Sequence, residues 1–309
     1  MTLTGYDNST QHSLRPSKSL WADAASRIFR DRIALICLAV ILIYAVIAII
    51  IPFCVDWQKT VNYDHTNEPP SKTFLLGTDA FGRSILIKTM LSAHLSMTVA
   101  FWANIIAVPL GIFIGAVAGY YGGMADHFIT WIFTTLSCIP GIILLIALKF
   151  ALAGKTIPLG FTNLEMDGIA GLVIALSVTN WIDICRLVRA EVMKLREQDF
   201  IMAARCTGRS SFAILTIHII PNVLHLGIIT FSLGFVSAIT TEVILSYLNL
   251  GVQNAPSWGQ MINDARMDLI YGRWWEITSA VIAVFIIVLA WSIFGDRLRD
   301  ALDPKLKNT

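Results

Sequence analysis

Six stretches of this chain are long and apolar enough to cross a lipid bilayer, and that property removes most of what a polypeptide of 309 residues could otherwise become. A helix rises about 1.5 Å per residue, so the roughly 30 Å hydrocarbon layer takes about 20 mostly apolar residues. Such runs occupy Ile33 to Phe53, Leu95 to Ala118, Phe128 to Leu148, Ile169 to Val188, Asn222 to Leu245 and Trp275 to Gly295. Soluble domains carry charge on roughly a quarter of their residues; here the share is 14%, with a mean hydropathy of +0.68. A membrane β-barrel would alternate apolar and polar residues, but Ile41 to Ile51 is apolar throughout. The expected fold is all-α, a polytopic membrane protein with about six transmembrane helices.

The first apolar run reads as a permanent anchor, because a polar stretch of more than 30 residues precedes it and Pro52-Phe53-Cys54 shows no small-residue cleavage pattern. Basic loops tend to stay in the cytoplasm. Lys59, Lys72, Arg83, Lys88, Lys149, Lys155, Arg266 and Arg273 fall on one side of the predicted spans, and the other 15 of the 23 Lys and Arg on the side of both termini. Both termini are therefore expected in the cytoplasm. The division that follows is a cytoplasmic tail at 1–32, with a short amphipathic piece near Trp21 to Phe29, an anchor at 33–53 and an external segment at 54–94. A five-helix core at 95–295 contains a cytoplasmic loop at 189–221, and a tail occupies 296–309.

That loop is the most informative segment. It opens as a charged continuation of the fourth span, with Glu191 able to pair with Lys194. Asp199 then offers an N-cap, Phe200-Ile201-Met202-Ala203-Ala204 reads as a short helix, and Gly208 supplies its stop. Phe212 to Ile220 is again amphipathic, and Pro221 is expected to turn the chain into the fifth span. Physics alone leaves two uses for a short helix across the inner face: an input from a cytoplasmic partner, or an amphipathic helix resting on lipid headgroups.

The residue pattern separates them. Ala203-Ala204, Gly208 and His218-Ile219-Ile220-Pro221-Asn222 resemble the cytoplasmic signature of binding-protein-dependent ABC importer permeases, with Met202 where that family usually has Glu. Leu76 to Arg83, Gly119 to Asp126, Arg186 to Glu191, Pro256 to Gly259 and Gly295 to Pro304 are similar, in that order, to segments of the dipeptide, oligopeptide and nickel group, in the subunit type with an extra N-terminal span. Ser84, Asn249 and a shortened stretch at 253–255 depart from its pattern. The resemblance covers residues 30 to 305. It implies the ABC importer permease fold in a bacterial inner membrane, and a non-catalytic subunit forming half of a path for di- or oligopeptides. Its implied partners are a second homologous permease, two cytoplasmic ATPases, an external substrate-binding protein and membrane lipid. ATP and magnesium would be bound by the ATPases, with no cofactor on this chain. Phe200, Met202, Ala203, Ala204, Arg205 and Gly208 would form the docking helix. Nickel chelates and peptide antibiotics stay open as cargo, and an ion-gradient transporter is the rival from another class.

Other chemistry finds less support. Gly154-Lys155-Thr156 matches the end of a phosphate loop, but Lys149 stands where its first Gly belongs and a membrane helix precedes it instead of a strand. No Cys or His pair has metal-ligand spacing, no catalytic set stands out, and the basic residues form no nucleic-acid stripe. Two acidic residues within spans, Glu242 and Asp183, are candidates for the path or a subunit interface, since a charge there is costly. Glu242 could equally lie near the outer interface or cap a bent helix with Thr240 and Thr241. Gly111, Gly115 and Gly119, spaced by four, are expected to let the second span pack closely on a neighbour.

Overall fold

A computed structural model describes residues 26–158, 163–252 and 255–302. Helix α1 (Arg32–Cys54) opens on Asp31, whose carboxylate accepts from the Ile33 N–H at 2.9 Å. After two single-turn 3-10 segments (Trp57–Thr60, Tyr63–His65), α2 runs from Ile85 to Tyr121 and stops at Gly122, whose φ of 65° is a left-handed value suited to glycine. Next come α3 (Gly123–Ser137), α4 (Gly141–Leu152) and a hairpin of three-residue strands, β1 (Thr156–Pro158) and β2 (Asn163–Glu165). Helix α5 (Ile169–Leu195) leads to the short α6 (Asp199–Cys206), then α7 (Ser211–Ile214) and α8 (Ile220–Tyr247). Helix α9 (Trp258–Ala265) and α10 (Trp275–Leu302) complete the order.

Five helices are long and apolar enough to cross a membrane, and the bent pair α3 and α4 brings the number of spans to as many as six. The α2 and α5 rods pack most extensively. The glycine stripe makes this possible: a Cβ on Gly115 would lie 2.6 Å from the Cys185 carbonyl oxygen, and one on Gly119 2.7 Å from that of Arg189. Helices α8 and α10 close the bundle, while α1 lies against it, burying Cys37, Ile41 and Ala48 and sending its Tyr44 hydroxyl to the Ala283 carbonyl at 3.0 Å. Its other flank exposes Ile36, Ile43 and Ile49, as a rod surrounded by lipid should.

Four expectations need correction. The run Phe128 to Leu148 is no straight rod: the chain bends by 95° between α3 and α4. Pro140 has no N–H to donate and disfavours helical geometry at Ile139, so the hydrogen-bond ladder breaks there. The segment placed outside the core at 54–94 is helical from Ile85 on, because α2 begins ten residues ahead of its apolar stretch. The final helix continues through Leu302, into the expected 296–309 tail. Pro221 does not mark a turn, since Ser211 to Tyr247 forms one continuous stretch of 37 helical residues. A π turn at Leu215–Ile219, in which the Ile220 N–H reaches back to the Leu215 carbonyl, widens the helix just ahead of the proline. The hairpin is a small addition to an otherwise all-α fold. Of the amphipathic piece proposed near Trp21 to Phe29, residues 26–30 are helical and 21–25 lie outside the described residues.

Candidate functional site

Helix α6 lies between α5 and the α7–α8 rod. Its residues divide by helical spacing: Ile201 and Ala204, three apart, are buried in a cluster with Tyr120, Val188, Val192, Ile214, Leu215 and Ile219. Phe200, Met202, Ala203 and Arg205 face outward. Two details differ from expectation. Ala204 belongs to the packed face of the helix, against the cluster. The N-cap is Gln198, and Asp199 is the first helical residue, its charge well placed against the helix dipole. Gly208 ends the helix as expected, with a φ of +75°, its N–H bonded to the Arg205 carbonyl at 3.0 Å and that of Arg209 to Ala204 at 3.4 Å.

The neighbourhood of α6 is fixed by charges whose pairing the sequence did not show. Arg189 of α5 clamps Asp126 of α3 with both edges of its guanidinium, Nε donating to Oδ1 and Nη2 to Oδ2. Arg196 donates to the Gly119 carbonyl at 3.2 Å, and the Arg205 guanidinium sits 5.4 Å from the Tyr120 ring. The turn after α2, the charged end of α5 and α6 thus form one connected platform. Gly119 to Asp126 and Arg186 to Glu191 stood out as separate segments in the sequence; the Asp126–Arg189 pair joins them.

The two acidic candidates part company. Asp183 projects outward, its side chain 89% exposed and only 3.9 Å from Arg186, so it is available to whatever covers that face of α5. Glu242 has no exposed surface. The Ser96 hydroxyl donates to one of its oxygens and that of Ser246 to the other at 2.6 Å, whereas Thr240 and Thr241 bond their own helix backbone. Glu242 therefore ties α8 to α2 inside the chain; in this conformation it lines neither a path nor an interface.

At the opposite end of the bundle from α6, Lys88 of α2 is buried among carboxylates: Glu276 at 2.6 Å, Asp79 at 3.3 Å and Asp264 at 3.7 Å. Asp79 also accepts the Phe81 and Arg83 N–H groups at 2.9 and 2.8 Å, locking the loop that carries Gly77 to Arg83. Burial pushes the Asp264 carboxyl above the usual carboxylate range, against the pull of Lys88. The sequence held a faint signal for this cluster, a lysine a few residues ahead of the second apolar run and a glutamate at the very start of the last, but nothing in the spacing joins residues 88 and 276.

A bundle of apolar rods with a short helix packed between two of them is the build of a multi-pass membrane protein. Residues 107–308 match the family described as the binding-protein-dependent transport system inner membrane component, and residues 19–70 match the N-terminal TM domain of oligopeptide transport permease C. The chain belongs to this family of membrane permease components. It is 32% identical over 296 residues to the oligopeptide transport system permease protein OppC of Bacillus subtilis (strain 168), covering 95% of this chain and 92% of the relative. Against the dipeptide transport system permease protein DppC of the same strain the identity is 32% over 297 residues, covering 95% and 88%. The glutathione transport system permease protein GsiD of Pectobacterium atrosepticum is 33% identical over 293 residues, covering 93% and 92%. A solved chain of the inward-facing MetNI methionine ABC transporter shares the fold with a TM-score of 0.52 at 15% identity, over 71% of this chain and 96% of that one.

Proposed function

We propose that this chain is the peptide-importing member of its family: one of two permease subunits that together form the path across the bacterial inner membrane, with both termini in the cytoplasm. Two cytoplasmic ATPases hold ATP and magnesium and power the cycle, while an external binding protein delivers the cargo. The chain itself performs no covalent chemistry. Relatives named for oligopeptides, dipeptides and glutathione support peptides as the cargo class.

The observation that carries this reading is the two-sided build of α6. Its inner face is buried in the platform of α2, α5 and α7, while Phe200 and Met202, 45% and 51% exposed, are left for a partner. A force applied there reaches α5 and α8 directly, because the loop is their covalent link. Closure of an ATPase pair below the helix would thereby rock the rods and alternate access to the path. Reconstitution tests this. Vesicles holding the chain alone accumulate no labelled peptide, and adding the second permease, the ATPases, ATP and the binding protein starts accumulation. Uptake by the chain alone under an ion gradient would overturn the reading in favour of a secondary transporter.

A further inference from the structure

On the side opposite α6, a pocket of about 310 Å³ opens between the loop following α1, the Gly77–Arg83 loop and α9. Trp57, Phe81, Arg83, Gln260 and Asp264 are among its walls. The Arg83 guanidinium carbon lies 4.0 Å from the Trp57 ring and 5.2 Å from that of Phe81, so its plane is held by stacking. Its backbone is fixed as well, by the bond from its N–H to Asp79. Yet Nε is buried with no hydrogen-bond partner among the described residues, and none of their carboxylates pairs with this guanidinium. Lys88, the other cation of the pocket, is already committed to Glu276 and Asp79.

A guanidinium that is positioned, partly desolvated and unanswered is built for a ligand with two coplanar acceptor oxygens. We infer that this pocket receives a carboxylate, and that the carboxylate is an acidic side chain on the external binding protein. The inference rests on the importer reading above. The binding protein is favoured over the cargo because, apart from Lys88 in the first turn of α2, the walls come from the loops and α9 at the end of the bundle, so a docking surface meets the pocket first. An Arg stacked on Trp also has the composition of an interface anchor. Asp264, on the far wall, opposes an incoming anion and is held back by Lys88 3.7 Å away.

That opposition supplies a sign test. The complete transporter in nanodiscs is titrated with cargo-loaded binding protein, for the wild type, Arg83→Gln and Asp264→Asn. Arg83→Gln weakens docking about tenfold or more and flattens its salt dependence, whereas Asp264→Asn tightens it. Arg83→Lys, which keeps the charge but loses the planar fork, weakens docking several-fold and decides the matter if Arg83→Gln does not assemble. Weaker docking in Asp264→Asn would show that a cation enters and would overturn the inference. So would unchanged docking in Arg83→Gln together with Arg83-dependent binding of free peptide, which would assign the carboxylate to the cargo. Docking indifferent to both positions overturns this inference alone. No saturable docking on the wild-type complex overturns the importer reading with it.

Discussion

Replacing Gly115 with valine tests whether the close approach of α2 and α5 holds the bundle together. The first added carbon would stand 2.6 Å from the Cys185 carbonyl oxygen and 3.1 Å from the Arg189 nitrogen and the Val188 Cβ. The nearest of these is backbone, so no rotamer change relieves the clash. One rod must retreat by about 0.8 Å to restore ordinary contact at 3.4 Å. Overpacking of this kind costs about 1–3 kcal/mol, and the better helix propensity of valine returns only about half a kcal/mol. A net loss of about 0.5–2.5 kcal/mol is expected, measured by thermal or denaturant unfolding of the purified protein in detergent. Gly141→Ala is the matched control: it too lies in a helix, but its Cβ would meet nothing within 4 Å. That variant should equal the wild type or gain about 0.5–1 kcal/mol. If Gly115→Val unfolds together with Gly141→Ala, close α2–α5 packing is not what stabilises the chain.

Three further outcomes follow from the same geometry. Gly208→Val has open space around its new side chain but a φ of +75°, so it costs about 1–2 kcal/mol of backbone strain; peptide uptake by the assembled transporter should fall while membrane insertion persists, and unimpaired uptake would count against the role of α6. Lys88→Met strands Asp79 and Glu276 without their cation and should cost about 3–5 kcal/mol by unfolding, with Lys88→Met/Glu276→Gln recovering part of the loss; a single variant as stable as the wild type would refute the cluster's role. Glu242→Ala removes the acceptor shared by Ser96 and Ser246 and should cost about 1–3 kcal/mol, whereas Glu242→Gln retains most of the stability, and equal losses in the two variants would show that the charge matters more than the bonds.

The rods were legible because hydrocarbon length and backbone satisfaction leave a sequence little choice, and runs such as Ile33 to Phe53 state the answer outright. The glycine stripe was legible for a similar reason: Gly111, Gly115 and Gly119 at intervals of four can only share a face. Local punctuation was harder to read. Pro140 lies inside a run whose hydropathy never falters, so an average over that run hides the 95° bend. Helix α2 starts ahead of its apolar stretch because Lys88 and Ser92 look polar until their partners are known: Lys88 is paired with Glu276, and Ser92 bonds the Lys88 carbonyl at 2.8 Å. The short helix α6 was expected from its residue pattern, but which of its alanines faces inward depends on a cluster assembled from α2, α5, α7 and α8. Pairings such as Asp126 with Arg189 and Glu242 with Ser96 are long-range facts, and a single sequence carries no signal that joins their members.

The unbroken stretch from Ser211 to Tyr247 is a single stiff shaft that begins a few residues after α6. Thirty-seven helical residues at about 1.5 Å each make a shaft of roughly 55 Å, so a tilt of about 5° about its midpoint swings each end by roughly 2.4 Å. The Glu242 tie lies near the far end of that shaft and grips α2, so the swing is handed on to a second rod instead of being lost in a loose end. A displacement of the shaft beside α6 is thus passed to α2 at the other end of the bundle.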